Sequence, residues 1–332
     1  MHMADALVSP AVGGALYAVS AGVGAYSIYK LKHDEELKAK IPTMGVMGAL
    51  VFAVQMMNFT IPGTGSSGHL CGGILLSALL GPYASFITMI GVLLIQCLFF
   101  ADGGLLALGA NIFNMSYFGC FLGGVLWQLI MKKGFSKRKI ALYTIGGAIL
   151  TLELGAFCVT IETLLSNITE LPFRSFLFLM MPIHLAIGLG EGLITFAILT
   201  FIYETRAEML YCSRDIEKKN RMSKKKVLAI TGVMIVVIAG GLSLFASSHP
   251  DGLEWSIEKM TGNTELEENE QKIYKSNQKI QNKTAIFEDY NLKGADSDAG
   301  AAFSGVAGCA IVVICMIAVG NVVKLLKKKN QN

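Results

Sequence analysis

Eight apolar stretches punctuate this sequence, at residues 9–29, 43–59, 83–100, 109–131, 140–165, 181–203, 227–247 and 303–323, with short polar or basic segments between them. Each is close to the roughly 17 to 25 residues that cross a hydrocarbon core about 30 Å thick. Segments of that length satisfy their own backbone hydrogen bonds as helices, so the expected fold class is an all-α integral membrane protein. The composition agrees, with 16% charged and 53% hydrophobic residues, where a soluble domain carries roughly 25% charged. The net charge of +4 is concentrated in blocks between the stretches, which marks topology and excludes a nucleic-acid face. Of seven cysteines, Cys71, Cys97, Cys120, Cys158, Cys309 and Cys315 sit in apolar segments without a CxxC pair. They read as small packing residues, with neither a disulfide framework nor a thiolate cage.

The basic blocks fix the number of crossings. KLKHDEELKAK (30–40), KKGFSKRK (132–139), the segment 206–226 and the terminal KLLKKKN hold 21 of the 28 Lys and Arg. All four belong on the cytoplasmic side. Eight crossings cannot satisfy this, because an even number of spans between the first block and the second is required and only three are available. HLCGGILLSALLGP (69–82) supplies the missing crossing as a short, broken one that ends at Gly81 and Pro82. The total becomes nine, with the N-terminus outside and the C-terminus in the cytoplasm. A helix of about 12 residues rises only about 18 Å, so its start at His69 lies well below the outer surface. NFTIPGTGSSG (58–68) is then a re-entrant loop that delivers His69 to the interior, where irregular backbone is tolerated if protein covers it.

An outside N-terminus gives the opening MHMADALVSP a chemical role. No basic residue precedes Lys30, so the start lacks a signal-peptide pattern and is expected to survive processing. The amine of Met1, the amide nitrogen of His2 and a ring nitrogen of His2 can wrap one ion in fused five- and six-membered chelate rings. A deprotonated amide in a planar field favours Ni²⁺ or Cu²⁺, admits Co²⁺ and disfavours tetrahedral Zn²⁺. His69 is the natural fourth nitrogen. A histidine at position 2 is by itself an ordinary solvated residue, but an intramembrane ionisable residue such as His69 is a functional candidate by default.

Other polar residues fall inside the apolar segments. Asp102, Asn111 and Asn114 occur in ADGGLLALGANIFNM, with the two asparagines about one turn apart; they serve either as hydrogen-bonding support for a ligating imidazole or as ordinary helix-to-helix bonds. His184 and Glu191 share a face seven residues apart, as a structural pair or as further support for the site. Glu153 and Glu162 lie together in one span. His33 and His249 read as a solvated loop residue and a turn residue. Small-residue runs such as GGALYAVSAGVGA (13–25) and FGCFLGG (118–124) allow close helix packing.

Taken in order, MHMADALVSP, GTGSSGHLCGGILLSALLGPYA, FADGGLLALGANIFNM and PIHLAIGLGEGLIT resemble the CbiM/NikM family, the substrate-binding membrane component of nickel and cobalt energy-coupling-factor transporters. The resemblance covers about residues 1–205. After a basic cytoplasmic linker at 206–226, the segment 227–332 forms a two-helix hairpin whose outer loop, 248–302, begins SSHPDGLEWSIEK and resembles the accessory CbiN/NikN component with its PDGLE motif. The loop carries 11 Asp and Glu against 6 Lys, and its part at 264–283 is expected to be partly helical or disordered. The resemblance implies a seven-helix bundle with a fused hairpin. It also implies Ni²⁺ or Co²⁺ as transported substrate, held by Met1, His2 and His69, and no resident cofactor. The implied partners, within the lipid bilayer and beneath it, are an integral coupling protein and two cytoplasmic ATPase subunits. Consistently, the sequence contains no G-x-x-x-x-G-K-[ST] phosphate loop. The rival classes are an ion-coupled secondary transporter with Glu153, Glu162, His184 and Glu191 as a relay, and a membrane-embedded enzyme, for which no HExxH or paired-aspartate motif appears.

Overall fold

The structure, a computed structural model, describes residues 1–34, 40–213, 222–266, 270–292 and 297–329. Among these, a helix stands at each of the nine expected crossings. They are α1 (Pro10–His33), α2 (Ile41–Gln55), α3 (Gly73–Leu80), α4 (Pro82–Phe100), α5 (Leu108–Met131), α6 (Lys137–Ser166), α7 (Phe173–Arg206) and α8 (Lys224–Gly240). Two shorter helices follow in the outer loop, α9 (Gly252–Thr261) and α10 (Lys272–Thr284), before the last long one, α11 (Asp298–Lys329). The helices α1, α4, α5, α6, α7 and α11 are each long and apolar enough to cross a membrane, and the chain is a multi-pass membrane protein. The basic connectors at 30–40 and 206–226 fall in part on 35–39 and 214–221, which lie outside the described residues, as do 267–269 and 293–296 of the outer loop.

The short crossing is the least regular part. Helix α3 is eight residues long and buried throughout, a rise of only about 12 Å. Glycines in the left-handed region bound it, Gly72 and Gly81, both at φ 80°. A side chain on Gly72 would also strike Val51 at 2.6 Å, so this turn requires glycine. In place of an open re-entrant loop, residues before it form an antiparallel hairpin of β1 (Phe59–Ile61) and β2 (Ser66–Gly68), with Phe59 opposite Gly68. Two boundaries differ from expectation. Helix α7 starts at Phe173, eight residues before the apolar stretch 181–203, and runs through Pro182; proline inside a membrane helix is tolerated when neighbours satisfy the freed carbonyl. Helix α8 stops at Gly240, and Leu242–Phe245 turns as a 3-10 segment.

The hairpin is not a separate body. Helix α11 lies along α2, as α7 lies along α6, and α8 contacts both α2 and α11. At the end of the bundle that carries residues 1–8, the hairpin's loop is laced to β2: Ser67 donates its amide to the Pro250 carbonyl at 2.8 Å and its hydroxyl to the His249 carbonyl at 2.7 Å. That join sits beside His69.

Candidate metal centre

Residues 1–8 fold back into the bundle. Met1 is 4% exposed, and Met3, Leu7 and Val8 are buried at 0 to 1%. The segment is gripped through its backbone. Asn111 on α5 accepts from the Met3 amide at 2.7 Å and donates to the Met3 carbonyl at 3.1 Å, while the Gly104 amide donates to the same carbonyl at 2.9 Å. Asp5, in a single 3-10 turn (Asp5–Leu7), accepts from the Ala107 amide at 3.0 Å. Ser9 caps α1 and donates its amide to Ser166 at 2.9 Å. A methyl group on Gly104 would overlap the Asp5 carboxylate, so the loop of 101–107 can come this close only because that residue has no side chain.

The opposing wall is the turn between β2 and α3. Glu191, buried on α7, accepts from the Cys71 amide with one carboxylate oxygen, at 2.8 Å, and from the Gly72 amide with the other, at 3.0 Å. Gln55 on α2 donates to the Cys71 carbonyl at 2.7 Å. The backbone beside His69 is thus fixed on both sides, as buried polar groups at membrane depth require.

These two walls bring the expected donors together. The Met1 amine lies 3.1 Å from His69 Nε2, and the His2 and His69 rings stack with centroids 5.1 Å apart and planes 22° from parallel. Among the described residues, no three His, Cys, Asp or Glu side chains gather into a metal-holding group, so any such site draws on main-chain nitrogen. Burial, followed by the neighbouring amine, lowers the His2 imidazole to about 3, and a neutral ring has a lone pair to offer. The Met1 amine and His69 line a cavity of about 10 Å³ with Gly68, Cys71, Leu152, His184, Ile187, Asp251 and Gly252, a space on the scale of one water or one ion.

A third wall comes from the outer loop. The Asp251 carboxylate contacts the Met1 amine through Oδ2, which is also 3.8 Å from His69 Nε2. Although burial works against its ionisation, the Met1 amine holds Asp251 well below the usual carboxylate range. Burial likewise opposes charge on the Met1 amine, and Asp251 more than offsets it, raising that pKa. On the other side, Asp102 Oδ1 is 3.0 Å from His2 Nδ1, and its Oδ2 accepts from the Tyr290 hydroxyl. His2 Nε2 is buried without a partner.

The remaining sequence candidates separate. Asp102 alone of the supporting set contacts one of the two candidate imidazoles, that of His2. Asn111 holds the Met3 backbone, and Asn114 donates to Glu162 at 2.7 Å. His184 bonds the Met180 carbonyl through Nδ1 at 2.8 Å and leaves Nε2 unpartnered in the wall of the cavity. Glu191 serves loop backbone, and Glu153 is partly exposed on α6 with one unpartnered oxygen. Among the described residues, Glu153, Glu162, His184 and Glu191 make no hydrogen bond to one another. Sequence reasoning missed Asp251 and Tyr290. The available signal for Asp251 was the Asp-x-x-Glu spacing of a capping box, which the structure forms between Asp251 and Glu254.

Residues 2–209 match the family described as CbiM, cobalt uptake substrate-specific transmembrane region, and residues 225–325 match the PDGLE domain. A protein of Archaeoglobus fulgidus with the provisional name fused nickel transport protein NikMN is 33% identical over 317 residues, covering 94% of this chain and 96% of its own. The cobalt transport protein CbiM of Sorangium cellulosum is 28% identical over 63% of this chain and 94% of its own. A crystal structure of a transition metal transporter superposes with a TM-score of 0.53 at 31% identity, covering 61% of this chain and 92% of that one.

Proposed function

The chain belongs to the CbiM family of cobalt-uptake transmembrane regions, with a PDGLE domain behind it, and from that premise we propose that it is the substrate-binding membrane component of an ATP-driven, energy-coupling-factor importer for Ni²⁺ or Co²⁺. The ion is captured from outside by the Met1 amine, the His2 amide and ring, and His69. The observation that carries this is the 3.1 Å separation of the Met1 amine from His69 Nε2. Two nitrogens bound at right angles to one ion, each about 2.0 to 2.1 Å from it, are about 2.9 Å apart. Closing the six-membered ring uses His2 Nδ1, so capture turns that nitrogen away from Asp102. A cavity of about 10 Å³ suits a bare ion and excludes a bulky metal complex. The basic blocks put the N-terminus outside and the C-terminus in the cytoplasm. Energy comes from a separate coupling protein and two cytoplasmic ATPase subunits.

The deciding experiment is the metal content of purified protein, by mass spectrometry, after growth in mixed metals. Ni²⁺ or Co²⁺ at one per chain, lost on His69→Ala, is the expected result. An ion complement unaffected by His2→Ala and His69→Ala overturns the assignment. Uptake that needs no ATPase and collapses with the proton gradient would instead favour the Glu/His relay, whose members make no hydrogen bond to one another among the described residues.

A further inference from the structure

A second cavity adjoins the one beside His69. It is about 10 Å³, the scale of one water or one ion, and shares Met1, Cys71 and Leu152 with the first. By the orientation that the basic blocks set, it lies on the cytoplasmic side of the centre. It adds Gly73 and Ile74, which follow His69 along the inward-running α3, and Asn114, Met115 and Gly119, which follow Asn111 along the inward-running α5. That part of α5, Phe113–Leu122, is wound as a π-helix, a rare geometry found mostly at functional sites.

The polar groups of this cavity offer oxygen. Asn114 is 2% exposed, and while its amide nitrogen donates to Glu162, its Oδ1 is buried without a partner. Glu191, 1% exposed, accepts one backbone amide on each carboxylate oxygen and forms no ion pair among the described residues. Thr151 donates its hydroxyl to the Gly147 carbonyl at 2.9 Å and keeps its lone pairs. A buried carboxylate without a counter-charge and a buried carbonyl without a donor are both costly, and a single cation satisfies both.

We propose that this cavity is a second, weaker divalent-cation site, a waypoint that receives the ion after it leaves Met1, His2 and His69 and holds it through oxygens of Asn114, Glu191 and Thr151. The proposal rests on the reading above, that the nitrogen centre takes the ion from outside. Oxygen donors suit harder ions, and hold Ni²⁺ and Co²⁺ less tightly than imidazole and amide nitrogen do. The cavity has one carboxylate, and no three His, Cys, Asp or Glu side chains gather there among the described residues. A site of that strength takes the ion only once the nitrogen set opens, and gives it up again, as passage requires.

The full chain is expressed in its own cells in place of the wild-type copy, as Asn114→Leu and as Thr151→Val, with NiCl₂ as the only added metal. Two quantities are compared with wild type, the Ni²⁺ affinity of the purified chain and the initial rate of Ni²⁺ uptake. Neither side chain hydrogen-bonds to Met1, His2 or His69. Affinity is therefore expected to stay within about twofold, the range of a single neutral bond. Uptake falls at least about tenfold in Asn114→Leu, the scale of a disturbed metal shell, and by a smaller factor in Thr151→Val. Thermal unfolding without metal checks both folds, and Thr151→Val, which keeps the side chain's shape, carries the test if Asn114→Leu unfolds. Asn114→Asp separates passage from packing: it keeps an oxygen and adds a charge beside Glu191, so the weak site becomes a trap, and the purified chain is expected to hold two Ni²⁺ in place of one by mass spectrometry. If Asn114→Asp holds one, or if uptake in the other two variants matches wild type or falls only in proportion to affinity, the cavity is no waypoint. This inference then falls, while His69-dependent binding and the proposed function stand. If binding and uptake ignore His2→Ala and His69→Ala as well, both fall.

Discussion

The first eight residues and the outer loop of the hairpin meet at the same point, yet they are held there by different means. The N-terminal segment is largely buried and bonded at the Met3 backbone to Asn111 of α5 and to Gly104, with the Asp5 carboxylate accepting from the Ala107 amide. The loop is largely exposed and touches down in part through backbone, with Pro250 accepting from the Ser67 amide and Phe287 donating to the Phe99 carbonyl, and for the rest through single side chains: Asp251 on Met1, Tyr274 donating to the Val8 carbonyl at 3.0 Å, Gln281 donating to the Gly103 carbonyl at 2.8 Å, and Tyr290 on Asp102. The contrast indicates that the bundle shapes the donor set and that the hairpin lies over it. The side-chain anchors on both sides can be removed one at a time, which makes the dependence of one region on the other measurable.

The most severe way to break the comparison is to displace the segment itself. A short extension ahead of Met1 that survives processing turns its amine into a peptide nitrogen and pushes six buried residues of the segment out of register. Ni²⁺ and Co²⁺ affinity is expected to fall by at least about a hundredfold, beyond what loss of a supporting contact causes, as read by isothermal titration; His69→Ala is expected to match it. An extended protein that binds as tightly as the native start would show that the amine is not a donor.

Much of this arrangement was legible in the sequence, and the pattern of what was not is physical. Span length and basic blocks gave nine helices, because crossing a bilayer and placing positive charge inside act on local composition. The parity argument even located α3, and with it His69. Contacts across the fold leave no such trace. Asp251 lies 250 positions from Met1 and has no periodic signal to tie it there. Asn111 was read either as support for an imidazole or as an ordinary helix-to-helix bond, but an amide suits peptide backbone equally well, and it pairs with the Met3 backbone. The start of α7 fell short because the span was marked by apolar length, and the helix extends past that stretch to Phe173. The β1–β2 hairpin, three residues a side, is too short for alternation to register.

The second test addresses the wall that opposes the segment. In Glu191→Gln one oxygen becomes an NH₂ group facing a backbone N–H, so a donor meets a donor. The loss is expected to be about 2 to 3 kcal/mol, the range for a hydrogen bond to a charged acceptor, measured by denaturant unfolding in detergent. Metal affinity should fall about tenfold as the turn beside His69 relaxes. Unchanged affinity would mean that the turn is held by Gln55 and the β-hairpin alone. Asn111→Ala acts on the segment side with a smaller effect, about 1 to 2 kcal/mol, because the Met3 carbonyl keeps its bond to Gly104. Amide exchange at residues 3 to 5 is expected to accelerate; if it does not, the segment is fixed elsewhere.

The mildest change asks which of the two regions depends on the other. Tyr274→Phe removes one hydroxyl, whose only hydrogen bond runs to the Val8 carbonyl among the described residues, and keeps the buried ring in place. The cost is expected to be about 1 kcal/mol, that of a neutral hydrogen bond with its acceptor left unpaired. If the bundle holds the segment and the hairpin only overlies it, amide exchange rises across α10 and stays level over residues 1–8, and Ni²⁺ affinity shifts by no more than about twofold, within the range of such a single bond. If exchange rises in residues 1–8 by as much as in α10, the loop is part of the clamp, and the donor set depends on both halves of the chain.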